Sequence, residues 1–110
     1  MANQRTRTRA RLQEAIKREL SLILEFEARD PRLQAVNVTA VRLSRDLKKA
    51  TVFLDITEDP EEVLELCRRD RGFFRSELAK RLDLRHTPAL DFKLDEGLQR
   101  ARRIDELLRD

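Results

Sequence analysis

The chain has 110 residues, of which 41% are charged, and its formal net charge is +3. This length allows one domain with a single hydrophobic core. No apolar run approaches the roughly 20 residues that span a bilayer, and no apolar segment of the kind that directs export follows the basic N-terminus. We therefore expect a single cytoplasmic domain that does not span a membrane.

Charge is unevenly distributed along the chain. Residues 1–18 carry six basic side chains and one acidic side chain, whereas residues 58–65 carry five acids and no base. Arginine outnumbers lysine 19 to 5, and the planar guanidinium group suits phosphate recognition. This distribution favours an extended polyanion as partner, with nucleic acid as the first candidate and an anionic membrane surface as the second.

The first predicted elements are a basic N-terminal arm over residues 1–6 and a long helix at the start of a single domain over residues 7–110. From about residue 7 to residue 28, apolar side chains recur with a period near 3.6. They are Leu12, Ile16, Leu20, Ile23 and Leu24. Pro31 is expected to end this helix, because a proline disfavours helical backbone in the residue before it.

Two stretches, 35–43 and 50–57, alternate between apolar and polar residues and predict β-strands. In the first strand we expect Val36, Val38 and Ala40 to share one face. The six residues between the strands are few enough to require an antiparallel hairpin. Two consecutive segments should therefore form neighbouring strands.

A helix is predicted to begin at Asp59, which can cap it, with Pro60 at the first helical position. The acidic residues that follow suit the positive end of the helix dipole and need no other function. Glycine costs about 1 kcal/mol inside a helix relative to alanine. We therefore predict a helix, a kink formed by Asp70, Arg71 and Gly72, and a second helix.

Two arginines at the kink have no carboxylate at a complementary helical spacing. Arg69 and Arg81 each follow a glutamate by four residues, which is a favourable arrangement. Arg71 and Arg75 lie four residues apart and have no such neighbour. An external anion is the more economical partner, and the N–H groups at the start of the second helix would add to the attraction.

A third strand and a last helix complete the predicted elements. Leu90, Phe92 and Leu94 alternate with charged residues, as in a strand with one buried face. Asp95 then opens a C-terminal helix, which we interpret as a packing or terminal element. The sequence thus predicts an α+β domain with a three-stranded sheet.

The residues that most enzymes need are scarce. The chain has one cysteine, one histidine and two glycines, too few for a common zinc site or a glycine-rich phosphate loop. Cys67 lies on an apolar helical stripe, where burial is its usual fate. We therefore expect a protein that is not an enzyme, with no metal, cofactor or small-molecule substrate.

Aromatic residues for stacking on nucleobases are also few, since the chain has five phenylalanines and no tryptophan or tyrosine. We expect most of the phenylalanines to be in the core. Phe53 is the exception, because it lies on the second strand's other face. It is expected either to stack on a base or to be buried under the terminal helix.

The order helix, strand, strand, helix, helix, strand resembles a type II KH domain, in which helices back a three-stranded sheet. KH domains clamp the nucleic-acid backbone with a GxxG loop between two helices. Here the bend reads Asp70-Arg71-Gly72-Phe73 and has one glycine. A helix kink therefore replaces GxxG.

The chain is similar to the ribosome-binding factor A family, whose members replace the loop with a kink of the form Ala-x-Gly. Asp70 stands where the family usually has alanine. The resemblance covers nearly the whole chain. It is carried by Asp30-Pro31-Arg32-Leu33, Val38-Thr39, Ser44-x-Asp46-Leu47-x-x-Ala50-x-Val52, Gly72-Phe73-x-Arg75-x-x-Leu78-Ala79 and Leu84-Arg85-x-x-Pro88-x-Leu90-x-Phe92-x-x-Asp95.

The resemblance implies a monomeric factor that binds the free small (30S) ribosomal subunit and assists late maturation and processing of its 16S rRNA without catalysis. A general KH-like RNA-binding module and a protein–protein adaptor with an incidentally basic face are the alternatives. From charge balance we predict the RNA contacts. They are Arg71, Arg75, Arg85, Arg45, Lys48, Lys49, Arg5, Arg7, Arg9 and Arg11.

Overall fold

The computed structural model describes the backbone of residues 4–109 and the side chains of residues 8–109. The elements in chain order are α1 (Gln4–Phe26), a 3₁₀ helix (Pro31–Ala35), β1 (Asn37–Leu43), β2 (Lys49–Asp55), α2 (Pro60–Arg69), α3 (Arg71–Leu82), β3 (Ala89–Leu94) and α4 (Glu96–Leu108). This order confirms the predicted α+β, type II KH-like arrangement with an additional C-terminal helix.

The sheet has the strand order β1-β2-β3. β1 and β2 are antiparallel, which confirms the predicted hairpin, whereas β2 and β3 are parallel. A parallel pair needs a long crossover connection, and α2 with α3 supplies it. α1, α2 and α3 pack on one face of the sheet, and the core among the described residues contains no buried polar or charged residue.

A β-bulge at Thr39 changes which residues of β1 are buried. Val38 and Ala40 pair with consecutive residues of β2, so that Thr39 is an extra residue. After the bulge, Val41 and Leu43 are buried, whereas Ala40 is half-buried. The prediction that Ala40 shares the buried face with Val38 is wrong, because an extra residue reverses the alternation of the strand.

α1 begins at Gln4, so residues 4–6, which the sequence assigns to the arm, have helical backbone. Residues 1–3 lie outside the described part of the chain. The predicted apolar face of α1 is buried, with Ile16, Leu20 and Ile23 completely inaccessible to solvent. α1 is thus anchored to the rest of the domain along its second half.

The start of α2 differs from the prediction in one residue. Pro60 occupies the first turn with Glu61 and Glu62, as expected. Asp59, however, makes no capping hydrogen bond with its side chain, and its backbone is left-handed with φ of 48°. A capping residue has extended backbone, so the predicted capping role of Asp59 is wrong.

The break between α2 and α3 falls at Asp70, which is the single residue between the two helices. Its backbone has φ of −94° and ψ of 12°, a conformation open to any residue. Gly72 lies inside the first turn of α3, and a Cβ atom there would meet nothing within 4 Å. The junction between the two helices therefore lies two residues before Gly72, the position at which the low helix propensity of glycine predicts the bend.

α4 contains no buried residue. It is attached at its start, where its N-cap residue Asp95 accepts a hydrogen bond of 2.8 Å from Thr39 Oγ1 of β1, and by an ion pair of 2.6 Å between Arg102 and Asp55 of β2. Phe53 lies on the sheet face opposite α1–α3 and is half-buried.

Among the described residues, no helix has the length and apolar character needed to cross a membrane.

Candidate nucleic-acid interface

Side-chain hydrogen bonds hold the loop between β1 and β2. Ser44 Oγ donates to Asp46 Oδ1 at 2.7 Å, and the same carboxylate accepts from Lys48 N at 3.0 Å. These hydrogen bonds lower the pKa of Asp46, and the hydrogen bond from Ser44 has the larger effect. The only carboxylate of the loop is thus used by the loop itself, and Arg45 and Lys48 are exposed with no ion pair among the described residues.

Two further hydrogen bonds place this loop beside other elements. Ala89 N, at the start of β3, donates to the carbonyl oxygen of Lys48 at 2.9 Å. Leu43 N, at the end of β1, donates to Gln13 Oε1 of α1 at 3.0 Å. The loop, the first half of α1 and the connection that enters β3 therefore meet at one end of the sheet.

Arg75 joins α3 to the same end. Its Nη2 and Nε atoms donate to the carbonyl oxygen of Thr87 at 2.8 and 3.2 Å. We expected no partner within the chain; the structure shows one, but it is a neutral carbonyl and leaves the positive charge uncancelled. Arg71, one turn earlier, and Arg85, in the α3–β3 connection, are exposed and have no ion-pair or hydrogen-bond partner among the described residues.

Several of these cations line two open depressions on the surface. One, of about 410 Å³, is lined by Gly72, Arg75, Ser76, Ala79, Arg85, His86 and Thr87. The other, of about 600 Å³, is lined by Arg9, Gln13, Ala40, Val41, Arg42, Leu43, Ser44 and Arg45. Lys48 lines neither depression but belongs to the same end of the sheet, since its carbonyl oxygen accepts from Ala89 N at the start of β3. We call this set the basic end: Arg9, Arg42, Arg45, Lys48, Arg75 and Arg85.

The structure does not bring every predicted residue to the basic end. Lys49 forms an ion pair of 3.4 Å with a carboxylate of β3, so its charge is partly balanced within the domain. Arg11 lies about 200° around α1 from Arg9, since each residue of a helix turns by about 100°. Arg5 and Arg7 belong to α1 by their backbone, but their side chains lie outside the described residues.

Arg42 is a member of the basic end that the sequence prediction missed. It is exposed in β1, between the buried residues Val41 and Leu43. The sequence contains a signal for it, because a charged residue between two apolar residues of a strand points to the opposite face. In this part of the sheet, the prediction from charge balance named the loop residues Arg45, Lys48 and Lys49 and left out the strand that leads into them.

The phenylalanines follow the expectation only in part. Phe74 and Phe92 are in the core, with 0% and 1% exposure. Phe73 and Phe26, expected in the core, have 41% and 68% of their surface exposed. The helical period contains a signal for this difference, because Phe74 shares a face with Leu78, whereas Ser76 and Glu77 follow Phe73 at the same spacing.

Other arginines are paired within the domain. Arg81 contacts Glu19 at 3.3 Å, Glu27 at 3.5 Å and Glu77 at 4.0 Å. The last of these pairs was predicted from helical spacing. The predicted pair of Arg69 with Glu65 is wrong, since Arg69 instead contacts its neighbour Asp70 at 3.2 Å, across the helix break.

The one cysteine of the chain lies in the core. Cys67 is buried, and burial, with a smaller effect of the Asp70 charge, raises the pKa of its thiol to about 12. The thiol is therefore protonated, and unreactive as a nucleophile, at neutral pH. Among residues 8–109, no group of three or more histidine, cysteine or acidic side chains is placed to hold a metal ion.

These features define a type II KH-like domain in which a helix junction replaces the GxxG loop. The family model described as ribosome-binding factor A matches residues 8–108. The ribosome-binding factor A of Ruthia magnifica is 48% identical over 99 residues, which cover 89% of this chain and 88% of that protein. The chain belongs to the ribosome-binding factor A family.

Solved structures agree with this assignment. The crystal structure of ribosome-binding factor A from Thermus thermophilus has a TM-score of 0.72 and 31% identity, over 78% of this chain and 94% of that chain. A homology model of the Thermus thermophilus ribosome-binding factor A, fitted into a cryo-EM map of a 30S complex with that protein, has a TM-score of 0.68 and 32% identity, over 77% of this chain and 92% of that chain.

Proposed function

We propose that this protein binds the free small ribosomal subunit through the basic end and assists late maturation and processing of its 16S rRNA without catalysing a reaction. It acts in the cytoplasm as a monomer and needs no cofactor, small-molecule substrate or membrane. The observation that carries the proposal is the basic end itself, six cations of which none has a carboxylate partner among the described residues. The 30S complex of the Thermus thermophilus relative supports the choice of partner.

The basic end suits recognition of RNA by the positions of its phosphates. The hydrogen bonds of the loop fix the backbone positions of Arg45 and Lys48. The hydrogen bonds to the carbonyl oxygen of Thr87 fix the position of the Arg75 guanidinium group. Cations held in this way bind best to an RNA whose phosphates match their spacing. The protein would stabilise an immature RNA arrangement of that shape and dissociate when the mature arrangement replaces it.

Charge reversal at the basic end tests where the subunit binds. The variant Lys48→Glu with Arg85→Glu should bind purified small subunits at least about tenfold more weakly, with a shallower dependence on salt concentration. The matched control is Arg100→Glu with Arg103→Glu, which makes the same change in net charge at two exposed, unpaired residues of α4. Equal weakening by both variants would mean that net charge alone drives binding, and the basic end would lose its role.

The cellular role has its own test. A strain depleted of the protein should accumulate unprocessed 16S precursor RNA, and the wild type and the α4 control should restore processing where the basic-end variant does not. In a sucrose gradient of lysate, the protein should migrate with free small subunits. Migration with all RNA would support a general RNA-binding module, and a position that salt does not change would support a protein adaptor.

A further inference from the structure

A separate depression lies at the junction of α2 and α3, and the proposed function makes no use of it. It has a volume of about 280 Å³ and is lined by Ala28, Arg29, Leu33, Asp70, Phe73 and Phe74. Leu33 and Phe74 are almost inaccessible to solvent and form its floor, whereas Phe73 forms an exposed wall. A single water needs only about 10–15 Å³ of such space, so the depression has room for a ligand much larger than one water molecule.

Contacts with the core hold the ring of Phe73 in place. The ring centroids of Phe92 and Phe74 lie 5.7 Å apart at 71°, and those of Phe74 and Phe73 lie 5.6 Å apart at 59°. These are favourable aromatic geometries. Phe73 is thus supported by the core on one side and available to a ligand on the other, so stacking would not require a mobile side chain to become ordered.

The charges around this depression suit a nucleotide. Arg29 lines it, and Arg71 follows the helix break; both are exposed and unpaired among the described residues. The carboxylate of Asp70 is partly balanced by Arg69 at 3.2 Å. An apolar, aromatic slot with adjacent cations fits the flat base and the phosphates of one nucleotide together.

The depression also lies close to the basic end. Gly72 and Arg75 line the 410 Å³ depression there, and Phe73 and Asp70 line this one, so the first turn of α3 borders both. We propose that the depression binds an unstacked nucleobase of the RNA strand whose phosphates contact the basic end, with Phe73 as the stacking residue. This inference rests on the proposed function and adds a base contact to it.

A fluorescent reporter tests the inference directly. The chain has no tryptophan or tyrosine, so Phe73→Trp introduces a single fluorophore that keeps a stacking ring. Its emission should be quenched by a short oligoadenylate but not by inorganic polyphosphate, which offers charge without bases. Phe26→Trp, an exposed ring on α1 outside the depression, is the control and should respond equally weakly to both.

Affinity for the subunit gives a second measurement. Phe73→Leu keeps an apolar side chain and removes the ring face, and it should weaken binding to purified small subunits roughly tenfold, the usual cost of one lost base stack. The salt dependence should stay unchanged, because no charge is altered. Phe26→Leu is the matched control and should bind like the wild type, and melting temperatures verify that both variants are folded.

The outcomes separate the inference from the function on which it rests. Absence of quenching in Phe73→Trp up to millimolar oligoadenylate overturns the inference, whether or not the RNA binds elsewhere. Weaker subunit binding by Phe73→Leu without quenching by RNA also overturns it, because a ribosomal protein would then occupy the depression. Neither result affects the proposed function, which fails if the basic-end variant binds subunits like the wild type or no more weakly than the α4 control does.

Discussion

Arg81 and Arg85 lie four residues apart, yet their surroundings differ completely. Arg81, in the last turn of α3, has three glutamates within 4.0 Å and 28% of its side chain exposed. Arg85, in the connection to β3, is exposed and has no charged partner among the described residues. Between them, Asp83 has left-handed backbone with φ of 47°, and this residue turns the chain from one environment into the other.

The two regions use the same residue type for different purposes. At the interface of α1 and α3, the guanidinium of Arg81 joins Glu19 and Glu27 of α1 to Glu77 of α3, and the charges are balanced inside the domain. At the basic end, the positive charges are left unbalanced. An arginine of this family should therefore be judged by its carboxylate neighbours in space, and its position in a basic stretch of sequence says little.

Removing the paired arginine, Arg81, should have the largest effect on folding. Arg81→Ala leaves three carboxylates close together without their cation, and we expect a loss of about 1–2 kcal/mol in the free energy of unfolding, between the values for exposed and buried pairs. Urea unfolding measures this loss. Lys80→Ala, which removes a 72% exposed lysine with one partner at 3.7 Å, is the control and should change stability by less than about 0.5 kcal/mol.

Removing the external arginine should produce the opposite pattern. Arg85→Ala should leave the free energy of unfolding within about 0.5 kcal/mol of the wild type. It should weaken binding to small subunits by about fivefold and lower the slope of log affinity against log salt by about one. If Arg85→Ala destabilised the fold as much as Arg81→Ala, the distinction between the two regions would be lost.

Acid unfolding extends the comparison to the carboxylates. Hydrogen bonds from Arg32 lower the pKa of Asp30 to about 2, and neutral donors lower those of Asp46 and Asp95. A lowered folded-state pKa stabilises the fold above the unfolded pKa near 4, and this stabilisation is lost as the pH falls from about 4 to 2. Urea unfolding between pH 2 and pH 7 should show this decline, and Asp30→Asn should make it shallower.

The smallest effect is expected at the helix break. Asp70→Ala removes only an exposed ion pair with Arg69 and keeps a backbone conformation that alanine also adopts. The melting temperature should change by no more than about 2 °C, which corresponds to less than about 0.5 kcal/mol in a domain of this size. A larger loss, measured by thermal unfolding with circular dichroism, would show that the carboxylate itself holds the junction.

Local patterns were sufficient to predict most of the fold. The period of apolar residues in α1 and the alternation in β2 and β3 reflect which side chains are buried. The short connection between β1 and β2 allows only an antiparallel pairing. The basic loop residues Arg45 and Lys48 could be predicted for the same reason, because turns at the end of a sheet are exposed. The β1 alternation failed at Thr39, since a bulge depends on the partner strand.

The sequence by itself determined the class of fold, the scarcity of cysteine, histidine and glycine, and the excess of arginine. Only the tertiary structure decided which arginines are balanced and that Arg9, Arg42 and Arg85 meet at one end of the sheet. Secondary structure follows from neighbours along the chain, whereas charge balance and burial depend on residues that folding brings together from far apart in the sequence.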